Sequence, residues 1–270
     1  MIELHDHELI GHNRQSSKGD QLKWLHEGFW YKADYLGYEG YSEYICSAML
    51  HHSSLSPKEF ADYETVRIKY GRQEFNGCKS RDFLRPGWQL ITLERLFANQ
   101  YGKSFYLSLF GIDGIRERVR FLVGQTEMLT GIRDFGTYLC KMLTIDALFL
   151  NEDRHLHNIA VLMDSAGRFH LCPFFDHGAG LLSDTRIDYP LHDDIYALAG
   201  SVKAKTVCDS FEEALDAAEE LYGHHLTFSY SEKDIDAAQE CDAYYDEDIK
   251  KRVKGILLES RRKYRYLFDT

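Results

Sequence analysis

Residues 138–150 are apolar almost all round, and this limits the folds open to the chain more than any other feature. A surface helix needs one polar face, so a helix without one is buried within the larger part of the molecule. This helix runs directly into a polar loop, Asn151-Glu152-Asp153-Arg154-His155-Leu156-His157-Asn158. Apolar residues 159–163, turn residues 164–167 and Phe169-His170-Leu171 then make a β-hairpin pattern. The hairpin delivers Cys172-Pro173-Phe174-Phe175-Asp176-His177-Gly178, which places an acid after an apolar strand and before a glycine.

The rest of the chain supplies a setting for that hairpin. Residues 21–25 and 29–33 read as two strands around a His26-Glu27-Gly28 turn, because Trp24, Phe29, Trp30 and Tyr31 favour extended backbone. A helix follows, with Ser42 as its cap and Tyr41, Ile45, Ala48 and Met49 on one side. Ser56-Pro57-Lys58-Glu59 and Ser210-Phe211-Glu212-Glu213 both fit a capping box, so each predicts a helix start. From residue 90 onward the pattern is mostly helical, closing with a helix over residues 248–263. A small strand-rich beginning and a helical remainder predict an α+β fold of two lobes, an N-lobe over residues 1–85 and a C-lobe over residues 86–270.

A net charge of −11 argues against a duplex nucleic-acid binder, which must neutralise phosphates with Lys and Arg. The basic cluster at Lys250, Lys251, Arg252, Lys254, Arg261, Arg262, Lys263 and Arg265 reads as a solvated helix face near the negative end of its dipole. The six cysteines are too far apart for a C-x-x-C pair, so buried free thiols are expected. The charged start lacks a signal-peptide core and no apolar run is long enough to span a membrane. These features predict a cytoplasmic protein without direct nucleic-acid or membrane partners.

Two carboxylates and a carboxamide bracketing one hairpin suit phosphoryl transfer. That reaction needs a group to orient and deprotonate the attacking hydroxyl, and oxygen ligands for Mg²⁺ on the phosphates. Asp153 is assigned as the base, with Asn158 and Asp176 as metal ligands. The five-residue interval from Asp153 to Asn158 is the one found between catalytic Asp and metal-binding Asn in protein kinases. Zinc held by His155 and His157 with Asp153 or Asp176 is the competing reading, but no third nitrogen or sulfur ligand stands at a familiar spacing.

The D-R-H-L-x-N form at Asp153 and the interval to Asp176 resemble the HipA-like bacterial serine/threonine kinases. The resemblance implies a two-lobed protein-kinase-like fold using ATP and Mg²⁺. It implies a G-x-Q-x-K phosphate loop at Gly19, Gln21 and Lys23, and counts His155 with the nucleotide-binding residues. Lys32 matches the strand lysine aimed at the ATP phosphates, with Glu43 as its helix-borne partner and Glu39 as a competitor. Ser16, three positions before Gly19, matches a serine whose autophosphorylation switches such kinases off, and its neighbour Ser17 lies on the same polar loop. Residues 78–84 are a candidate hinge for adenine. The expected partners are a protein substrate and, as in toxin–antitoxin pairs, an antitoxin-type protein. The chain is shorter than full-length HipA-like proteins, and its phosphate loop carries one glycine where G-x-G-x-x-G would carry three. A small-molecule or lipid kinase, or a nucleotide-binding pseudokinase acting as an interaction module, are the alternatives.

Overall fold

The computed structural model describes residues 1–10 and 21–268. Gly19, Ser16 and Ser17 lie outside the described residues. In chain order the elements begin with β1 (Ile2–Leu4), β2 (Lys23–His26), β3 (Phe29–Ala33), α1 (Glu39–Leu50), β4 (Tyr63–Tyr70) and β5 (Gln73–Arg81). They continue with β6 (Gln89–Thr92), α2 (Leu93–Tyr101), α3 (Phe105–Phe110), α4 (Ile115–Thr130), α5 (Phe135–Phe149), β7 (Ala160–Met163) and β8 (Phe169–Leu171). Helices α6 (Ile195–Ser201), α7 (Phe211–Tyr222), α8 (Glu232–Glu240) and α9 (Glu247–Lys263) complete the order. The chain divides into a first unit of Met1–Phe83, Phe175–Val202 and Thr227–Thr270, and a second of Leu84–Phe174 and Lys203–Leu226.

The first unit is built on a five-stranded sheet in the order β1-β4-β5-β3-β2, with β1 parallel to β4 and the other pairs antiparallel. The β2–β3 hairpin closes through Glu27 and Gly28, both at positive φ (49° and 78°), which is the backbone a two-residue turn requires. Alternate residues Trp24, Tyr31, Ala33, Val66 and Ile68 gather on one face with Leu4 and form a core. Helix α1 packs on β4 and β5. At Gly40 an added Cβ would stand 2.5 Å from the carbonyl carbon of Gly77 and 2.8 Å from the nitrogen of Cys78, so only glycine lets helix and strand approach this closely.

Helix α1 begins three residues before the expected Ser42 cap. The Glu39 carboxylate takes up the loop amides of Tyr35, Leu36 and Gly37 at 3.2, 2.6 and 3.1 Å, while Asp34 accepts from the amide of Gly40 at 2.6 Å. With the first turn satisfied in this way, Ser42 sits inside the helix and its hydroxyl donates to the His177 carbonyl at 2.8 Å. Ser56 and Glu59 form only a turn, the Glu59 amide bonding the Ser56 carbonyl and the Glu59 carboxylate the Ser56 amide. No helical period follows them, because alternation resumes at Tyr63 for β4.

In the second unit α5 is buried along almost its whole length and packs against α4 and α7. Ser210 caps α7, its hydroxyl accepting from the Glu213 amide at 3.2 Å. The expected 159–171 hairpin is present as antiparallel β7 and β8, and β6 adds a third strand where a helical pattern was expected to begin. The basic cluster on α9 is largely paired within the chain. Lys254 bonds Asp236, Arg262 bonds Glu259, and Arg252 is buried and donates to the carbonyls of Tyr189 and Pro190. All six cysteines are free; five are buried and Cys241 is exposed. Among the described residues no helix is long and apolar enough to cross a membrane.

Candidate active site

In the first unit three segments meet at Lys32. Strand β3 carries the lysine in register with Lys23 of β2 on one side and Cys78 of β5 on the other. Its Nζ lies 2.5 Å from Glu43 Oε1 on α1 and 2.7 Å from Asp176 Oδ1, with the Tyr63 ring centroid 5.3 Å away. Glu43 is 1% exposed at its side chain, and its second oxygen accepts the amide of His177 at 2.7 Å. Glu39 is committed to backbone amides, so Glu43 makes the helix-borne pair.

Burial opposes the charge on Lys32, but the carboxylates of Asp176 and Glu43 outweigh it and hold the lysine well above its ordinary pKa. Burial pushes Glu43 upward and Lys32 pulls it back. Asp176 has a positive φ of 64°. That backbone is uncommon outside glycine and is tolerated where surrounding structure fixes it. Here the Tyr63 hydroxyl meets the Asp176 amide at 3.4 Å and Glu43 holds the next one. Gln21 precedes β2 and is half-buried. Residues 78–81 of the candidate hinge finish β5.

The second unit holds Asp153, His155 and Asn158. Helix α5 ends in a left-handed Leu150, and the loop that follows is anchored to the Asp146 carboxylate of its last turn. Asp146 accepts Asn151 Nδ2 at 2.8 Å and Arg154 Nε at 3.0 Å, and Arg154 donates onward to the Asn158 carbonyl at 3.2 Å. Asp146 and Arg154 are both nearly fully buried. Burial raises the pKa of Asp146, while Arg154 pulls it down.

Asn158 Nδ2 donates to the Asp153 carbonyl at 2.8 Å and to Asp153 Oδ2 at 3.1 Å. This fixes the carboxylate and turns the amide oxygen of Asn158 to the other side. His155 Nε2 lies 3.7 Å from Asp153 Oδ1, and burial holds that imidazole below its ordinary pKa. Lys205, which no sequence motif marked, places Nζ 3.8 Å from the same oxygen.

Among the described residues no three His, Cys, Asp or Glu side chains gather as a metal site. A single carboxylate or amide oxygen suits Mg²⁺, which keeps several waters and takes phosphate oxygens as further ligands. Asp176 and the amide oxygen of Asn158 are donors of that kind.

The fold is that of a kinase. Over 97% of this chain and 94% of the other, it is similar to the proinflammatory kinase CtkA of Helicobacter pylori, at 16% identity and a TM-score of 0.58. A chain from the Shewanella oneidensis MR-1 toxin–antitoxin system of HipA, HipB and operator DNA matches at 14% identity and a TM-score of 0.44, covering 94% of this chain and 66% of that one. No family model matches the sequence, and no curated protein matches it. The α+β kinase fold expected from the resemblance to HipA-like kinases is the fold observed.

Proposed function

We propose that the chain is an ATP- and Mg²⁺-dependent kinase that phosphorylates serine or threonine hydroxyls on a protein. The observation that carries this reading is the buried Lys32, held by Glu43 and Asp176 from two other segments. Such a lysine, fixed by a helix-borne glutamate, is the part of a protein kinase that meets the ATP phosphates.

Lys32 neutralises phosphate oxygens, and the phosphate loop assigned to Gly19, Gln21 and Lys23 precedes it in sequence. Asp176 and Asn158 are each assigned an oxygen ligand to Mg²⁺, which when bound offsets charge on the phosphates and orients the transferring group. Asp153 orients the attacking hydroxyl and accepts its proton, with Asn158 setting the carboxylate rotamer. His155, 3.7 Å from the same carboxylate, is assigned to the nucleotide-binding residues on the resemblance to HipA-like kinases. Ser16 is the proposed site of autophosphorylation, and the resemblance to HipA-like kinases supports an antitoxin-type partner.

The test is transfer from [γ-³²P]ATP with Mg²⁺ to a serine/threonine peptide library, inositides and sugars. Labelled peptide supports the reading, whereas label on inositides or sugars alone moves the substrate to the small-molecule class. Mass spectrometry of the product finds phosphate on Ser16 if the regulatory assignment holds, and an unmodified residues 11–20 peptide removes it.

A further inference from the structure

We infer that Lys205 is a further catalytic residue, the cation that contacts the transferred phosphoryl group as the hydroxyl held by Asp153 attacks it. The inference rests on the kinase reading above and extends it to a residue far from any motif.

Lys205 lies 52 positions after Asp153 in sequence, yet both belong to the second unit and their charged ends are 3.8 Å apart. The contact is built rather than incidental to a loose side chain. The neighbouring Thr206 is buried, and its hydroxyl donates to the Arg154 carbonyl at 2.7 Å, which ties the segment to the loop between Asp153 and Asn158. The Ala204 amide bonds the Asp209 carbonyl at 3.0 Å and closes the segment on itself before α7.

A cation at this point has a chemical use. The attacking oxygen must sit at hydrogen-bond distance from Asp153, and phosphorus about 3–3.5 Å beyond it, so the phosphoryl oxygens pass within roughly 6–7 Å of the carboxylate. An ammonium on a four-carbon stem, 3.8 Å from that carboxylate and 42% exposed, reaches this volume by rotating its last bonds. Lys205 thus sets a cationic side chain beside Asp153 on this side of the reacting group. In the balanced step the hydroxyl oxygen bonds phosphorus, the bond from phosphorus to the ADP oxygen breaks, and the hydroxyl proton passes to Asp153. Lys205 exchanges no proton and stabilises charge only.

The experiment measures steady-state transfer from [γ-³²P]ATP and Mg²⁺ to the peptide library for the full chain and for Asp153→Asn, Lys205→Met and Lys205→Arg, across pH 5.5–9, with thermal unfolding of each. Removing one preorganised charge-stabilising donor costs about 10²–10³ in kcat. Lys205→Met is expected to lose about that factor in kcat with KM for ATP within about threefold, and Lys205→Arg to recover at least tenfold of the loss. Several outcomes overturn the inference: a Lys205→Met kcat within threefold of the parent, a loss confined to KM, an equal loss in Lys205→Arg, or an unchanged plateau rate with only the acidic limb of the pH profile displaced. In each of these cases the parent is active and Asp153→Asn is not, so the kinase reading stands. A parent chain with no Asp153-dependent transfer overturns that reading and the role of Lys205 with it.

Discussion

Replacing Lys32 with methionine tests the buried charge cluster directly. The change keeps the length of the side chain but leaves Glu43, 1% exposed, beside Asp176 without a cation. Breaking a buried pair from one side costs about 3–5 kcal/mol because the remaining charge is stranded. The variant limits that cost by protonating Glu43. At pH 7 protonation of a carboxyl with an ordinary value near 4.3 costs about 3.7 kcal/mol, whereas at pH 5 it costs about 1 kcal/mol.

The folded variant then holds a proton that the unfolded chain releases, so its stability falls as pH rises from 5 to 7. Urea unfolding followed by tryptophan fluorescence reads this well, because Trp24 and Trp30 lie on the same hairpin as Lys32. The expected result is a deficit against the parent of about 3–5 kcal/mol at pH 7, shrinking to about 1 kcal/mol at pH 5. A deficit below 1 kcal/mol at pH 7, or one that does not change with pH, refutes the reasoning.

Three further outcomes follow from other parts of the structure. Asp146→Asn strands the buried Arg154 guanidinium and should lower stability by about 3–5 kcal/mol, with a melting point about 6–20 °C lower by calorimetry. Gly40→Ala drives a Cβ into the backbone of β5 and should destabilise by at least about 1–3 kcal/mol in the same measurement, whereas Gly71→Ala, with open space around it, suffers only its positive φ. Asp34 is held at about 7 by burial and by the nearby Glu39 carboxylate. Its folded value lies above its unfolded one, so the stability it contributes is fully present below about pH 4 and is lost as pH rises toward 7. Asp34→Asn should flatten that part of the pH profile of unfolding, and an unchanged profile would remove the assignment.

What the sequence revealed follows from the range over which each signal acts. The β2–β3 hairpin, α5, the β7–β8 hairpin, α7 and α9 all rest on local periodicity, capping or turn chemistry, and all are present within a few residues of their expected positions. Strands β4 and β5 went unread because their alternation is interrupted by half-buried positions, which makes the pattern weak. Ser56-Pro57-Lys58-Glu59 had a cap but no apolar stripe to extend, and a cap alone does not hold a helix.

At the candidate site, Lys32 and Glu43 were visible because a strand residue and a residue of the following helix, eleven positions apart, fit a known pattern. The Asp146–Arg154 anchor was hidden inside an apolar helix, where a single acid looks like a tolerated exception. Lys205 carried no local signal, since only the fold brings residues 52 apart together. It was legible only as the Thr206 hydroxyl bonding the Arg154 carbonyl.

The proposed kinase function rests on activation of a hydroxyl by Asp153. The most direct measurement compares ³²P transfer from ATP and Mg²⁺ by the parent chain and by Asp153→Asn, with matched unfolding curves. The expected result is label transfer by the parent and a loss of about 10²–10⁴-fold in the variant, with folding intact. Equal transfer by both proteins, or none by the parent, contradicts it.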